Sequence, residues 1–81
     1  MRTFDKDKLI ALREKKGLSQ VDVAYFNEVT LQSIKNWESG DNVPNTNMLA
    51  KLADYFKVKV DHFYTEVITA YENTTKSKEI G

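Results

Sequence analysis

Apolar positions recur along the chain at helical spacing, and polar punctuation divides them into blocks. Phe4 and Asp5 open the first block. Asp5 suits an N-cap, and Phe4 and Leu9 stand at the N′ and N4 positions of a hydrophobic staple. Leu9 and Leu12 supply an inward stripe, and Lys15, Lys16 and Gly17 mark a C-terminus. Ser19 and Asp22 have the spacing of a capping box, which predicts a second helix from Gln20 to near Asn27 burying Val23 and Ala24. A short turn then leads to a third helix, with Thr30 as N-cap and Gly40 as its stop. Helices joined so closely must cross at a steep angle.

The third helix, within the stretch TLQSIKNWESG, is unusual on its outer side. Ile34 and Trp37 fall on one face and are predicted to be buried. Leu31, Gln32, Lys35 and Asn36 face outward together. A solvent face gains more helicity and solubility from Lys and Glu than from Gln and Asn, so this row calls for a functional explanation. Beyond the loop at 40–45, Asn45 is the next N-cap, and Leu49, Leu52, Ala53 and Phe56 form the buried face of a fourth helix. From Val60, the positions Val60, Phe63, Tyr64, Val67, Ile68 and Tyr71 keep an i, i+3, i+4, i+7 pattern and predict a fifth. The polar residues Glu72 to Gly81 are expected to fray. With one proline and three glycines there is little room for strands. Phe63 is expected to join Ile34, Trp37, Leu49, Leu52 and Phe56 in the core.

Composition narrows the function classes. A chain of 81 residues is one small domain with a single core. It has no cysteine, hence neither a disulfide framework nor a thiolate metal site. The charged N-terminus and the lack of a long apolar run give no sign of a signal peptide or a membrane span, so a soluble cytoplasmic protein is expected. The single histidine, His62, lacks partners at catalytic or metal-ligating spacing and is expected to face solvent. No enzyme, cofactor, small-molecule substrate or metal is anticipated. Net charge is zero but uneven: +3 over residues 1–16, −3 over 17–46 and balanced thereafter.

The runs GLSQVDVA and VTLQSIKNWESG, then Pro44 and MLAKLADYFKVKVDHFY, resemble the DNA-binding domain of Cro/CI-type phage repressors, the XRE helix-turn-helix family. The resemblance covers residues 6–64 and is carried by Ser19, Gln20, Ala24, Ile34, Glu38 and Gly40 at mutually consistent offsets. It implies an all-α, five-helix lambda-repressor-like domain, with the second and third helices forming the helix-turn-helix; the apolar stripe running on to Tyr71 extends the last helix at the C-terminus. Residues 1–66 would be the DNA-binding domain, and 67–81 a C-terminal extension and tail. It further implies that Thr30, Leu31, Gln32 and Asn36 read base edges, with Gln20 at the tip of the preceding helix. Amides suit adenine, and Leu31 suits a thymine methyl. Ser33, Lys35, Ser39 and Asn42 are candidate phosphate contacts, beside the backbone N–H groups at the starts of the second and third helices. Arg13 and Glu38 match an internal ion pair of the family.

The chain departs from the family pattern in four places. Asn27 and Glu28 replace an apolar residue followed by Gly; Phe26 is expected to take over the burial, and Asn27 is suited to a left-handed turn. Asp41 stands where Lys or Arg is usual, which implies modest non-specific affinity. Lys59 replaces a Ser or Thr cap. The function implied is sequence-specific binding of double-stranded DNA and transcriptional control, as a repressor. The alternative on the same fold is a protein-interaction or antitoxin-like module, which Asp41 favours and Gln20, Gln32 and Asn36 oppose. Val67, Ile68 and Tyr71 lie beyond the resemblance and call for burial, either by folding back against the first helix near Phe4 and Ile10 or, the favoured reading, in a homodimer on a palindromic operator.

Overall fold

The computed structural model describes residues 2–66. Four α-helices form the body: α1 (Lys6–Lys15), α2 (Gln20–Phe26), α3 (Leu31–Ser39) and α4 (Thr46–Phe56). Each begins at a residue whose side chain accepts a backbone hydrogen bond, namely Asp5, Ser19, Thr30 and Asn45. At α2 the capping box is complete, with Ser19 N–H donating to Asp22 Oδ2 at 2.9 Å and Asp22 N–H to Ser19 Oγ at 3.0 Å. The Ser19 backbone and then its hydroxyl hold the Asp22 carboxyl below the usual carboxylate range. The cap is therefore intact at neutral pH and weakens as acid protonates Asp22.

The fifth element departs from the periodicity. Val60–Phe63 forms one 3-10 turn, and the chain then extends as β2 (Tyr64–Glu66), antiparallel to β1 (Arg2–Phe4). Phe4 pairs with Tyr64 and Arg2 with Glu66. A helix here would forfeit this pairing and the bond from Asp5 N–H to the Phe63 carbonyl at 2.7 Å. Lys8 Nζ also donates to the Tyr64 carbonyl at 3.1 Å. Tyr and Thr favour the extended form locally, and the partner strand, sixty residues away in sequence, leaves no mark on a periodicity pattern. The expected fifth helix is thus replaced by a 3-10 turn and a strand among the described residues. Val67, Ile68 and Tyr71 lie outside them. Lys59 precedes the turn without a side-chain cap bond.

The core gathers Leu9, Leu12, Val23, Ala24, Ile34, Trp37, Leu49, Leu52, Ala53, Phe56 and Phe63, which includes Ile34, Trp37, Leu49, Leu52, Phe56 and Phe63 as expected. The turn between α2 and α3 needs correction. Glu28, not Asn27, takes the left-handed conformation, with φ 57°. Asn27 is buried and Phe26 is 58% exposed, the reverse of the expected exchange. The reason is helical register. Asn27 follows Val23 by four residues on the inward face, and there its Nδ2 donates to the Val23 carbonyl at 2.9 Å while its Oδ1 has no partner. Phe26 instead stacks on Tyr55 with ring centroids 6.1 Å apart.

All four helices end on a left-handed residue, and after three of them an N–H bonds back to a carbonyl five residues earlier: Leu18 to Arg13, Val29 to Ala24 and Val58 to Ala53. Gly17 serves α1 without strain, whereas Glu28 (φ 57°) and Lys57 (φ 60°) carry a Cβ in that conformation. Lys57→Gly is therefore expected to stabilise the domain by about 0.5–1 kcal/mol in urea unfolding. Glu28→Gly should gain less, because it also gives up the exposed Lys51 pair at 3.2 Å. Destabilisation by Lys57→Gly would show that the left-handed ending is not strained.

Candidate nucleic-acid interface

A single ion pair fixes where α3 stands. Arg13 on α1 grips Glu38 on α3 through both ends of its guanidinium, Nε to Oε2 at 2.7 Å and Nη2 to Oε1 at 3.0 Å. Arg13 Nη1 also donates to the Leu18 carbonyl at 3.0 Å, and Gln20 Nε2 donates to Glu38 Oε1 at 3.0 Å. The pair is largely sheltered, with side chains 14% and 6% exposed. Donating to the Glu38 carboxylate raises the Arg13 pKa above its ordinary value, so the guanidinium stays charged. Gln20, expected at the DNA-facing tip of α2, is thus tied to this network by its amide nitrogen. Its amide oxygen is not part of that bond.

With Ile34 and Trp37 buried and Glu38 engaged, the opposite face of α3 is set. Leu31, Gln32, Lys35 and Ser39 are exposed, and Ser33 and Asn36 partly so. Thr30 caps the helix by accepting from Ser33 N–H at 3.1 Å, and the two hydroxyls lie 2.9 Å apart. Gln32 Nε2 donates to Asn36 Oδ1 at 2.9 Å. That bond uses one Gln32 hydrogen and one Asn36 lone pair, leaving Gln32 Oε1 and Asn36 Nδ2 to act outward as an acceptor and a donor on one face. The pairing follows from their four-residue separation, a signal already present in the sequence. Below the helix, Ser39 Oγ donates to the Asn36 carbonyl at 3.1 Å, as does Asn42 N–H at 3.2 Å. Ser39 and Asn42 therefore sit together beneath Asn36.

The structure also redistributes the local negative charge. Of the four acidic residues between 17 and 46, Glu38 is neutralised by Arg13, Glu28 meets Lys51 and Asp22 closes the α2 cap. Asp41 remains beside the exposed face. The acidic balance seen in the sequence thus overstates the repulsion a polyanion would meet. Among the described residues, no group of three or more His, Cys, Asp or Glu could hold a metal, and no helix is long and apolar enough to cross a membrane.

Two crossed helices joined by a tight turn, the second presenting an amide-bearing face, are the features of a helix-turn-helix. The family model described as "Helix-turn-helix" matches residues 9–63. The HTH-type transcriptional activator BcrR of Enterococcus faecalis is 34% identical over 73 residues, covering 88% of this chain and 36% of its own length. The chain thus spans about a third of the length of that relative. A transcriptional regulator from Listeria innocua shares the fold, with a TM-score of 0.72 at 21% identity, covering 99% of this chain and 74% of the other. The chain belongs to the XRE-type helix-turn-helix family.

The ion pair yields a quantitative expectation. Arg13→Met or Glu38→Leu alone should cost about 3–5 kcal/mol, since each leaves a sheltered charge without its partner. The double variant should lose less than the two singles combined, and urea unfolding of all four proteins measures the coupling. Strict additivity would mean that the two side chains do not act as a unit.

Proposed function

We propose that the chain is a sequence-specific reader of double-stranded DNA that lays α3 in the major groove. The observation that carries this reading is the Gln32–Asn36 amide pair, held on the open side of a helix whose other side is locked into the core. The outward acceptor and donor match adenine N6 and N7, and Leu31, 36% exposed, suits a thymine methyl. Thr30 stands at the leading end of the same face, while Gln20, bonded to Glu38, stands toward the trailing end. Ser33, Lys35, Ser39 and Asn42 contact phosphates and set the register. Regulation is by repression in the cytoplasm, because occupying a promoter requires only binding.

The protein binds its operator as a homodimer, reading two palindromic half-sites about 34 Å apart. Two half-sites held together raise affinity beyond what one modestly charged domain attains. A second reading, a protein-interaction module on the same fold, is favoured by an exposed apolar strip on α2 comprising Val21, Tyr25 and Phe26. A gel shift separates the readings, first with random duplex at low salt and then with the promoter of the protein's own operon. Retardation of neither duplex would favour the protein-interaction module.

Gln32→Ala and Asn36→Ala should each cost about 1–3 kcal/mol on the cognate site and little on random duplex. Equal losses on both would reduce these side chains to positioning contacts. Sedimentation should find the full chain dimeric at micromolar concentration, with a truncation after Glu66 shifted toward monomer. A truncated form that dimerises equally well would place the interface elsewhere.

A further inference from the structure

We propose that Lys6, at the start of α1, is an additional phosphate-contacting residue that offsets Asp41 at the trailing end of α3. This assignment rests on the major-groove reading above. α3 has nine residues and is therefore about 13–14 Å long, close to the groove width of about 12 Å. When such a helix lies across the groove, its two ends approach the two phosphate strands. The trailing end is the unfavourable one. It carries the negative pole of the helix dipole, and Asp41 follows it directly.

Lys6 reaches this point from another element. A Cβ added at Gly40 would lie 3.5 Å from Lys6 Cδ and 3.7 Å from Lys6 Cε, so the lysine stem runs across the glycine that ends α3. The side chain is 42% exposed, and among the described residues its ammonium meets only the neighbouring Asp7, at 3.3 Å, a contact between exposed groups. That contact contributes little and is readily exchanged for a phosphate. Lys6 also stands at the first position of α1, where a cation opposes the helix dipole. Helix stability therefore does not explain a lysine there. Lys8, two residues on, differs because its ammonium holds the Tyr64 carbonyl. With the Lys6 stem over Gly40, the trailing end of α3 gains a cation in addition to the Ser39 hydroxyl and the Asn42 side chain.

The test is the salt dependence of binding by the full chain to a random-sequence duplex, followed by fluorescence anisotropy. Lys6→Gln keeps most of the stem over Gly40 and removes the charge. It should flatten the slope of log K against log salt by about 0.9, a loss of about fifteenfold at 50 mM and about fourfold at 200 mM salt. Lys6→Arg should restore the slope. Lys15→Gln, altered beside the groove lined by Leu12, Phe56 and Val58, should leave it unchanged. Thermal unfolding of Lys6→Gln should match or exceed that of the parent protein, which separates charge loss from misfolding. If the parent binds and Lys6→Gln keeps its slope, the Lys6 assignment is wrong while the DNA reading stands. If the parent binds no duplex even at low salt, both are wrong.

Discussion

The bidentate ion pair between Arg13 and Glu38 is the constraint on which the arrangement of the domain turns. It joins α1 to the last turn of α3, and the same two side chains hold the Leu18 carbonyl and the Gln20 amide. One sheltered pair therefore fixes α1, the turn before α2, the first residue of α2 and the whole of α3 relative to one another. Ile34 and Trp37 provide the apolar half of the docking. A helix held by both kinds of contact cannot rotate to bury Gln32 and Asn36. Its outward face is open because its inward face is fully engaged.

The turn between α2 and α3 shows the cost of keeping this geometry with unfavourable residues. Glu28 occupies a left-handed position that Gly would fill without strain, and Asn27 occupies an apolar position with one oxygen unbonded. The hydrogen bond from Val29 back to Ala24 still closes the turn. Position in the fold has thus overridden residue preference twice in succession. Burial of Val23, Ala24 and Asn27 along one stripe of α2 is what forces it, and the same register leaves Tyr25 and Phe26 on the surface.

Legibility in the sequence followed sequence distance. Asp5, Ser19, Thr30 and Asn45 were readable as caps because a cap bond closes within a few residues, and the inward stripes were readable because helical periodicity is local. The strand Tyr64–Glu66 was not, since its partner is the segment Arg2–Phe4 at the other end of the described chain. The family resemblance puts Gln20 at the tip of α2, while its bond to Glu38 spans eighteen residues and has no local signature. The exposed row on α3 was legible residue by residue, including the spacing that couples Gln32 to Asn36. What periodicity could not supply was the company those residues keep, above all the lysine stem lying across Gly40.

The central claim is that the fixed outer face of α3 is the surface that meets DNA. The most direct measurement is an NMR titration of the nitrogen-labelled chain with a duplex selected for tight binding, following backbone and side-chain amides together. The account predicts the largest shifts at the side-chain amides of Gln32 and Asn36 and at the backbone of Thr30, Leu31 and Asn42, with Tyr25, Phe26 and Tyr55 nearly unmoved. Shifts concentrated on Tyr25, Phe26 and Tyr55, with the Gln32 and Asn36 amides unchanged, would contradict it.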